Sequence, residues 1–280
     1  MDSISSKPAS STLFGPAAVD CHFHVFSAGV GQAGARYVPG YEAPYSDWWS
    51  AASACGVERG VLVQTSFLGT DNRRLVQELT AHPERLRGVA VVSPDVAPAE
   101  LQALHKAGVR GLRLNLSGVS HDVSAWASAG SLWDTLLGLD WHLELHTDLG
   151  TLPPVLAALP AALPLVIDHM GKPERVAADD PTVRALARRA AQASVHVKLS
   201  GAYRLGGRDA SALARLWLAE LGPQRLLWGS DWPHTNHEQE ANYPQLMLKL
   251  EHWLNDDAAM GAALRANPQA LYWADDEVAC

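Results

Sequence analysis

The stretch "VDCHFHVF", residues 19–26, sets His22 and His24 one residue apart in an otherwise apolar run. Two imidazoles at that spacing can share a divalent cation, touch a substrate directly, or simply fill a core. Side chains alternate along a strand. Asp20, His22 and His24 are therefore expected on one face and Val19, Cys21 and Phe23 on the other. If the apolar set meets a layer of helices, both histidines point into the open end of a sheet. Further polar residues interrupt apolar runs downstream: Gln64 and Ser66, Arg113 and Asn115, His146, Asp168 and His169, and Asp231 and His234 in "WGSDWPHTNH".

Something must gather residues so far apart. Eight short runs rich in Val, Leu and Ile read as strands: 17–24, 59–66, 86–93, 109–116, 140–147, 163–170, 194–200 and 224–230. Apolar through most of their length, they suit parallel strands covered on both faces. Amphipathic stretches lie between them. Residues 71–82, 97–108, 179–193 and 209–222 read as helices; the third opens on Asp-Asp-Pro, and Gly108 and Gly222 close the second and fourth. Eight strands alternating with about eight helices in a chain of 280 residues predict a single-domain, distorted (β/α)8 TIM barrel. A doubly wound sheet would carry a Gly-rich phosphate loop after its first strand, where this chain has His-Phe-His. In a barrel, active residues collect at the C-terminal strand ends. The histidines and Asp231 would then meet at one mouth, with Ser200, Tyr203 and Arg204 after the seventh strand.

The polar, Ser-rich residues 1–16 read as a flexible N-terminal tail and 17–280 as the barrel. Residues 27–50, rich in Gly, Pro and Tyr, read as a long loop serving as lid or binding wall; Tyr37, Tyr41 and Tyr45 anchor it. Formal charge is −8, from 30 acidic and 22 basic side chains, with no basic cluster. That argues against nucleic acid or an anionic membrane as a partner. Three cysteines at unrelated spacings point to a reducing, cytoplasmic setting without a disulfide framework. Cys21 reads as a small buried apolar residue.

The pieces "VDCHFHVF", "VQTSFLGTDN", "GLRLNL", "WHLELH", "VIDHMGKP", "VKLSGAYR", "LLWGSDWPH" and "NPQALYW" together resemble the amidohydrolase superfamily. The likeness is to its branch of pyrone-dicarboxylate, muconate and sugar-acid lactonases, and it runs from about 17 to 273. The resemblance implies a lactonase, a hydrolase in which water opens the ring of a small carboxylated lactone. Such a reaction would belong to aromatic or sugar-acid catabolism. It implies Asp231 as the base, with His22, His24 and His169 polarising the carbonyl. Arg113 and Arg204 match arginines that grip the substrate carboxylate. Lys172 stands where the branch has another arginine, and His146, Tyr203, Ser66 and Tyr45 complete the substrate-binding set. One arginine expected past the fourth strand is absent, so the anion clamp is thinner. The cofactor stays open. His22, His24, His146 and Asp231 form a credible Zn²⁺ or Mn²⁺ set, while pyrone-dicarboxylate members work without metal and use tyrosine at the His146 position. A metal-dependent non-oxidative decarboxylase or a lactone isomerase of the same superfamily are the alternatives, and the oligomeric state stays open.

Overall fold

The apolar runs do become strands. A computed structural model describes residues 17–127 and 129–274; the expected 1–16 tail and Cys280 lie outside the described residues. Eight parallel strands pair in sequence order: β1 Ala18–Phe23, β2 Val57–Val63, β3 Leu86–Ala90, β4 Val109–Asn115, β5 His142–His146, β6 Leu165–Ile167, β7 Val195–Leu199 and β8 Leu226–Trp228. The helices are α1 Tyr45–Ala54, α2 Arg73–Ala81, α3 Pro98–Lys106, α4 Ser124–Ala127, α5 Gly130–Gly138, α6 Leu152–Ala158, α7 Pro181–Ala190, α8 Ala210–Leu221, α9 Tyr243–Leu254, α10 Asp257–Gly261 and α11 Asn267–Tyr272. This is the (β/α)8 barrel expected from the alternation. Asp180 caps α7, its carboxylate accepting from Thr182 N at 2.8 Å, with Pro181 in the first turn. Asp209, Asn242 and Asp256 cap α8, α9 and α10 in the same way.

The strands are buried on both faces, which explains their unbroken apolar character. Outside the barrel, side chains such as Trp48, Leu79, Leu136 and Trp217 pack under the helices. Inside lie Val19, Cys21, Val61, Val63, Val89, Val166 and Leu227, together with Tyr272 and Trp273. Arg59 and Arg87, near the starts of β2 and β3, lie over the Trp273 ring at 5.2 and 5.3 Å. The end of α11 therefore floors the barrel, opposite the mouth.

The expected alternation in β1 does not hold. Val19 and Cys21 face the barrel interior, whereas Phe23 stacks on Trp48 in the outer layer at 3.8 Å. The cause is a bulge: Asp20 pairs with Gly60 and Phe23 with Leu62, so β1 holds one residue more than β2 over this span. Asp20 thereby leaves the histidine face. Its buried carboxylate accepts from Trp48 Nε1, Ser230 N, Ser230 Oγ, Tyr243 OH and His22 N, at 2.6–3.1 Å. These bonds bind β1 to the segment after β8. Asp231 N to His22 O and His24 N to Trp232 O, both 2.8 Å, complete the closure.

The long loop is also shorter than expected. It ends at Pro44, and α1 begins at Tyr45 because Asp47 and the run of Trp and Ala that follows favour a helix.

Candidate active site

At the C-terminal strand ends a small cavity is lined by His24, Tyr37, Ser66, Phe67, Arg113, Asn115, His146, His169, Arg204, Asp231 and Thr235, among others. A second cleft shares His146 and Arg204 with it and adds Ser117, Asp148, Lys172, Tyr203 and His237. Most of the expected site residues therefore come together. Tyr45 does not: as the first residue of α1 it stacks on His82 at 3.9 Å, away from both cavities. Its place as an aromatic wall is taken by Tyr37, from the loop after β1.

Asp231 is the centre. It has a left-handed backbone (φ 59°), just past β8. Its Oδ2 accepts from Tyr203 OH at 2.8 Å and Arg204 Nε at 2.7 Å. Its Oδ1 faces Nε2 of His22 and of His24, each at 3.6 Å, and Nε2 of His169 at 4.0 Å. Burial alone would push this carboxyl up. Arg204, followed by His169, His24 and His22, instead holds it well below the usual carboxylate range. Asp231 is thus a carboxylate with one oxygen tied and the other turned to the imidazoles.

Two glycines permit the close approach of these rings. A Cβ on Gly229 would lie 2.5 Å from His22 Cβ, and one on Gly201 would lie 2.6 Å from His169 Nδ1. His169 also begins a left-handed run, φ 49° at His169, 56° at Met170 and 43° at Lys172. That run aims His169 at the cavity and Lys172 at the cleft, where Lys172 Nζ is 3.4 Å from Ser117 Oγ.

Both expected carboxylate grips already hold internal partners. Arg113 donates to Asp168 Oδ2 through Nε and Nη2, at 3.0 and 2.7 Å, and sits 3.4 Å from Glu144. Arg204 holds Asp231 and Thr235 O. Both still line the cavity.

Beneath the cavity Asp168, after β6, meets two buried charges that the sequence did not single out, Glu144 on β5 and Lys198 on β7. Lys198 Nζ donates to Glu144 Oε2 at 2.5 Å and lies 3.4 Å from Asp168 Oδ1. The signal was present. A charged residue inside an apolar, doubly covered strand, as in "WHLELH" and "VHVKLS", requires a buried partner of opposite charge.

One ligand atom from each of His22, His24 and Asp231 lies within 4.8 Å of the others, a candidate divalent-metal site; His22, Asp168 and His169 form a second such set. In residue type and reach the first set suits Zn²⁺ or Mn²⁺. Its hydrogen bonding does not. His24 Nδ1 faces the Val63 carbonyl at 2.7 Å, so it must donate. His22 Nδ1 instead faces the Lys198 ammonium at 3.0 Å. An ammonium can only donate to it, and that contact favours the ring's hydrogen on Nε2. His146, expected as a fourth ligand, belongs to neither set. Its Nδ1 faces Arg113 Nη2 at 3.5 Å, and its Nε2 has no protein partner. A guanidinium has only hydrogens to offer, so His146 too presents an N–H to the cavity.

The chain is 30% identical over 281 residues to a 2-pyrone-4,6-dicarboxylate hydrolase of Comamonas testosteroni, covering 92% of this chain and 91% of the relative. It is 29% identical over 269 residues to a 4-sulfomuconolactone hydrolase of Rhizobium radiobacter, covering 90% and 89%. A candidate 2-pyrone-4,6-dicarboxylic acid hydrolase of Pseudomonas putida superposes with a TM-score of 0.82 at 37% identity, covering 92% of this chain and 98% of that one. The amidohydrolase family profile matches residues 19–273, nearly the whole barrel and its floor. By motif, fold and match, the chain belongs to the amidohydrolase family.

Proposed function

We propose that this protein hydrolyses a small anionic lactone, with Asp231 as general base and acid. The observation that carries the reading is the split environment of Asp231. Tyr203 and Arg204 hold Oδ2, and Oδ1 is left beside three imidazole Nε2 atoms at the cavity. A water beside Oδ1 gives up a proton to it as the water oxygen attacks the ester carbonyl. The carbonyl oxygen becomes an oxyanion. In this reading the Nε2–H groups of His146 at the wall and His22 below donate towards it, and burial holds both rings neutral with one hydrogen each. When the ring C–O bond breaks, Asp231 returns its proton to the leaving alkoxide, and water has been added across the ester.

The relatives named above act, by name, on a pyrone dicarboxylate and a sulfonated muconolactone. Arg113, Arg204 and Lys172 suit a substrate of the same kind, a five- or six-membered lactone with one or two acidic groups. Titration at constant pH with carboxylated lactones tests the reading. One equivalent of acid should appear per lactone consumed, and Asp231→Asn should lower kcat by roughly 10²–10⁴-fold. Release of carbon dioxide would point to decarboxylation. Product without new acid would point to isomerisation.

A further inference from the structure

Four charged side chains alternate in sign beneath the cavity: Lys198, Glu144, Arg113 and Asp168, each almost or entirely buried. Arg113 alone of the four reaches the cavity wall. Lys198 is not among the residues lining either cavity, yet its Nζ is 3.0 Å from His22 Nδ1. We propose that Lys198 is a positioning residue for the hydrolytic site: by donating to His22 Nδ1 it keeps that ring's hydrogen on Nε2. His22 then turns a donor, and not a metal-binding lone pair, towards Asp231 and the cavity floor.

An ammonium has three hydrogens and no acceptor, so the contact has only one sense. A competing partner exists, since Asp168 Oδ1 is 3.2 Å from the same nitrogen. Lys198 is the nearer of the two, at 3.0 Å, and only an accepting Nδ1 suits it. Glu144 fixes Lys198 from the far side at 2.5 Å. Two histidines a single residue apart therefore use Nδ1 in opposite senses, His24 donating to the Val63 carbonyl and His22 accepting from Lys198. For a cation to take His22 Nε2, the hydrogen would have to move to Nδ1. There it would meet the Lys198 hydrogens head on, and Lys198 would have to leave Glu144. The tautomer stands on geometry alone; what the Nε2–H acts upon rests on the lactonase reading.

The first test needs no substrate. Long-range ¹⁵N–¹H correlation spectra of ¹⁵N-histidine-labelled protein, with His22 and His24 assigned by His22→Gln and His24→Gln, report each tautomer. The expected result is Nε2–H at His22 and Nδ1–H at His24. Nδ1–H at His22 would overturn the proposal even if the protein proves to be a lactonase, and absence of lactone hydrolysis would leave the tautomer result standing. The second test is Lys198→Met, with Lys198→Arg to restore a donor. Glu144, pushed up to about 8 by burial and by Asp168, can take a proton in the methionine variant and so escape a bare buried charge. In Lys198→Met the His22 hydrogen should move to Nδ1. Zn²⁺ affinity, read by competition with a chromophoric chelator, should rise at least about tenfold, by about 1.4 kcal/mol. On a lactone substrate kcat should fall roughly 10²-fold with KM little changed. Lys198→Arg should recover the wild-type tautomer and Zn²⁺ affinity. An Nε2–H signal and unchanged Zn²⁺ affinity in Lys198→Met would overturn the proposal. Should that variant fail to fold, the wild-type spectrum decides.

Discussion

Lys172 is a cavity-side cation whose charge changes close to the working range. Burial lowers its ammonium to about 8, with Arg204 and Arg113 acting the same way and Asp148 and Asp168 opposing. The group is charged below that value in the free enzyme and neutral above it. If Lys172 grips an acidic group of the lactone, kcat/KM falls as pH rises through about 8, because KM rises while kcat holds. A neutral lactone should show no such limb, and Lys172→Arg should move the limb beyond the alkaline range. Profiles of kcat/KM against pH for both substrate types, corrected for spontaneous hydrolysis, check this. Arg113 would make a poorer probe. Replacing it also removes both guanidinium bonds to Asp168 and a cation beside Glu144, so a loss there mixes binding with the integrity of the site floor. The sequence foretold both cations as residue types. It did not reveal that Arg113 and Arg204 already hold carboxylates of their own chain, because the partners lie 55 and 27 positions away.

The strands as elements were legible, and their faces were not. Eight apolar runs became eight strands within a few residues of the expected spans. A period-two pattern, however, describes a strand alone, whereas a bulge is a relation between two strands. Asp20 to Phe23 spans one residue more than Gly60 to Leu62, and that excess sends Asp20 to the helix layer. His22 and His24 reach the mouth all the same. Tyr45 was misplaced for a related reason: nothing in a Gly- and Tyr-rich stretch marks Pro44 as its end until a helix is seen to start there. The closure between β1 and β8 depends on Gly229, where an added Cβ would fall 2.5 Å from His22 Cβ and 3.0 Å from His22 N. Those neighbours are the start of a side chain and a main-chain atom, so the strand must shift and not merely a rotamer. Gly229→Ala should therefore displace His22 relative to Asp231. A misplacement near 1 Å costs roughly 10²-fold in turnover. The expected signature is a collapse of kcat in a protein that keeps its barrel circular dichroism. Wild-type kcat in that variant would show that β8 can move aside without disturbing the site.

Across the whole barrel, holding the fold and doing chemistry fall at opposite ends, as the architecture leads one to expect. The mouth gathers strained and costly features: left-handed His169, Met170 and Asp231, paired buried charges, and orphan nitrogens on His22 and His146. The floor is built from packed rings. Trp273 is fully buried at the interior end of the barrel, beneath the Val-rich layer and under two guanidinium groups, with Tyr272 beside it. Arg59 is further tied to Gln269 of α11 at 2.6 Å, so the floor is braced by the helix that supplies it. Trp273 lines neither the cavity nor the cleft. Trp273→Ala removes a large packed ring and both cation–π contacts. It should cost about 3–5 kcal/mol, lowering Tm by roughly 10 °C for a domain of this size. Below the new transition, kcat and KM should stay within about twofold of the parent, because His22, Asp231 and their partners hang from the other strand ends. Thermal melts and initial rates on the same preparation measure both quantities. A large fall in kcat at low temperature would mean that the floor transmits its packing to the mouth through the interior layer, and the two ends would then have to be treated as one unit.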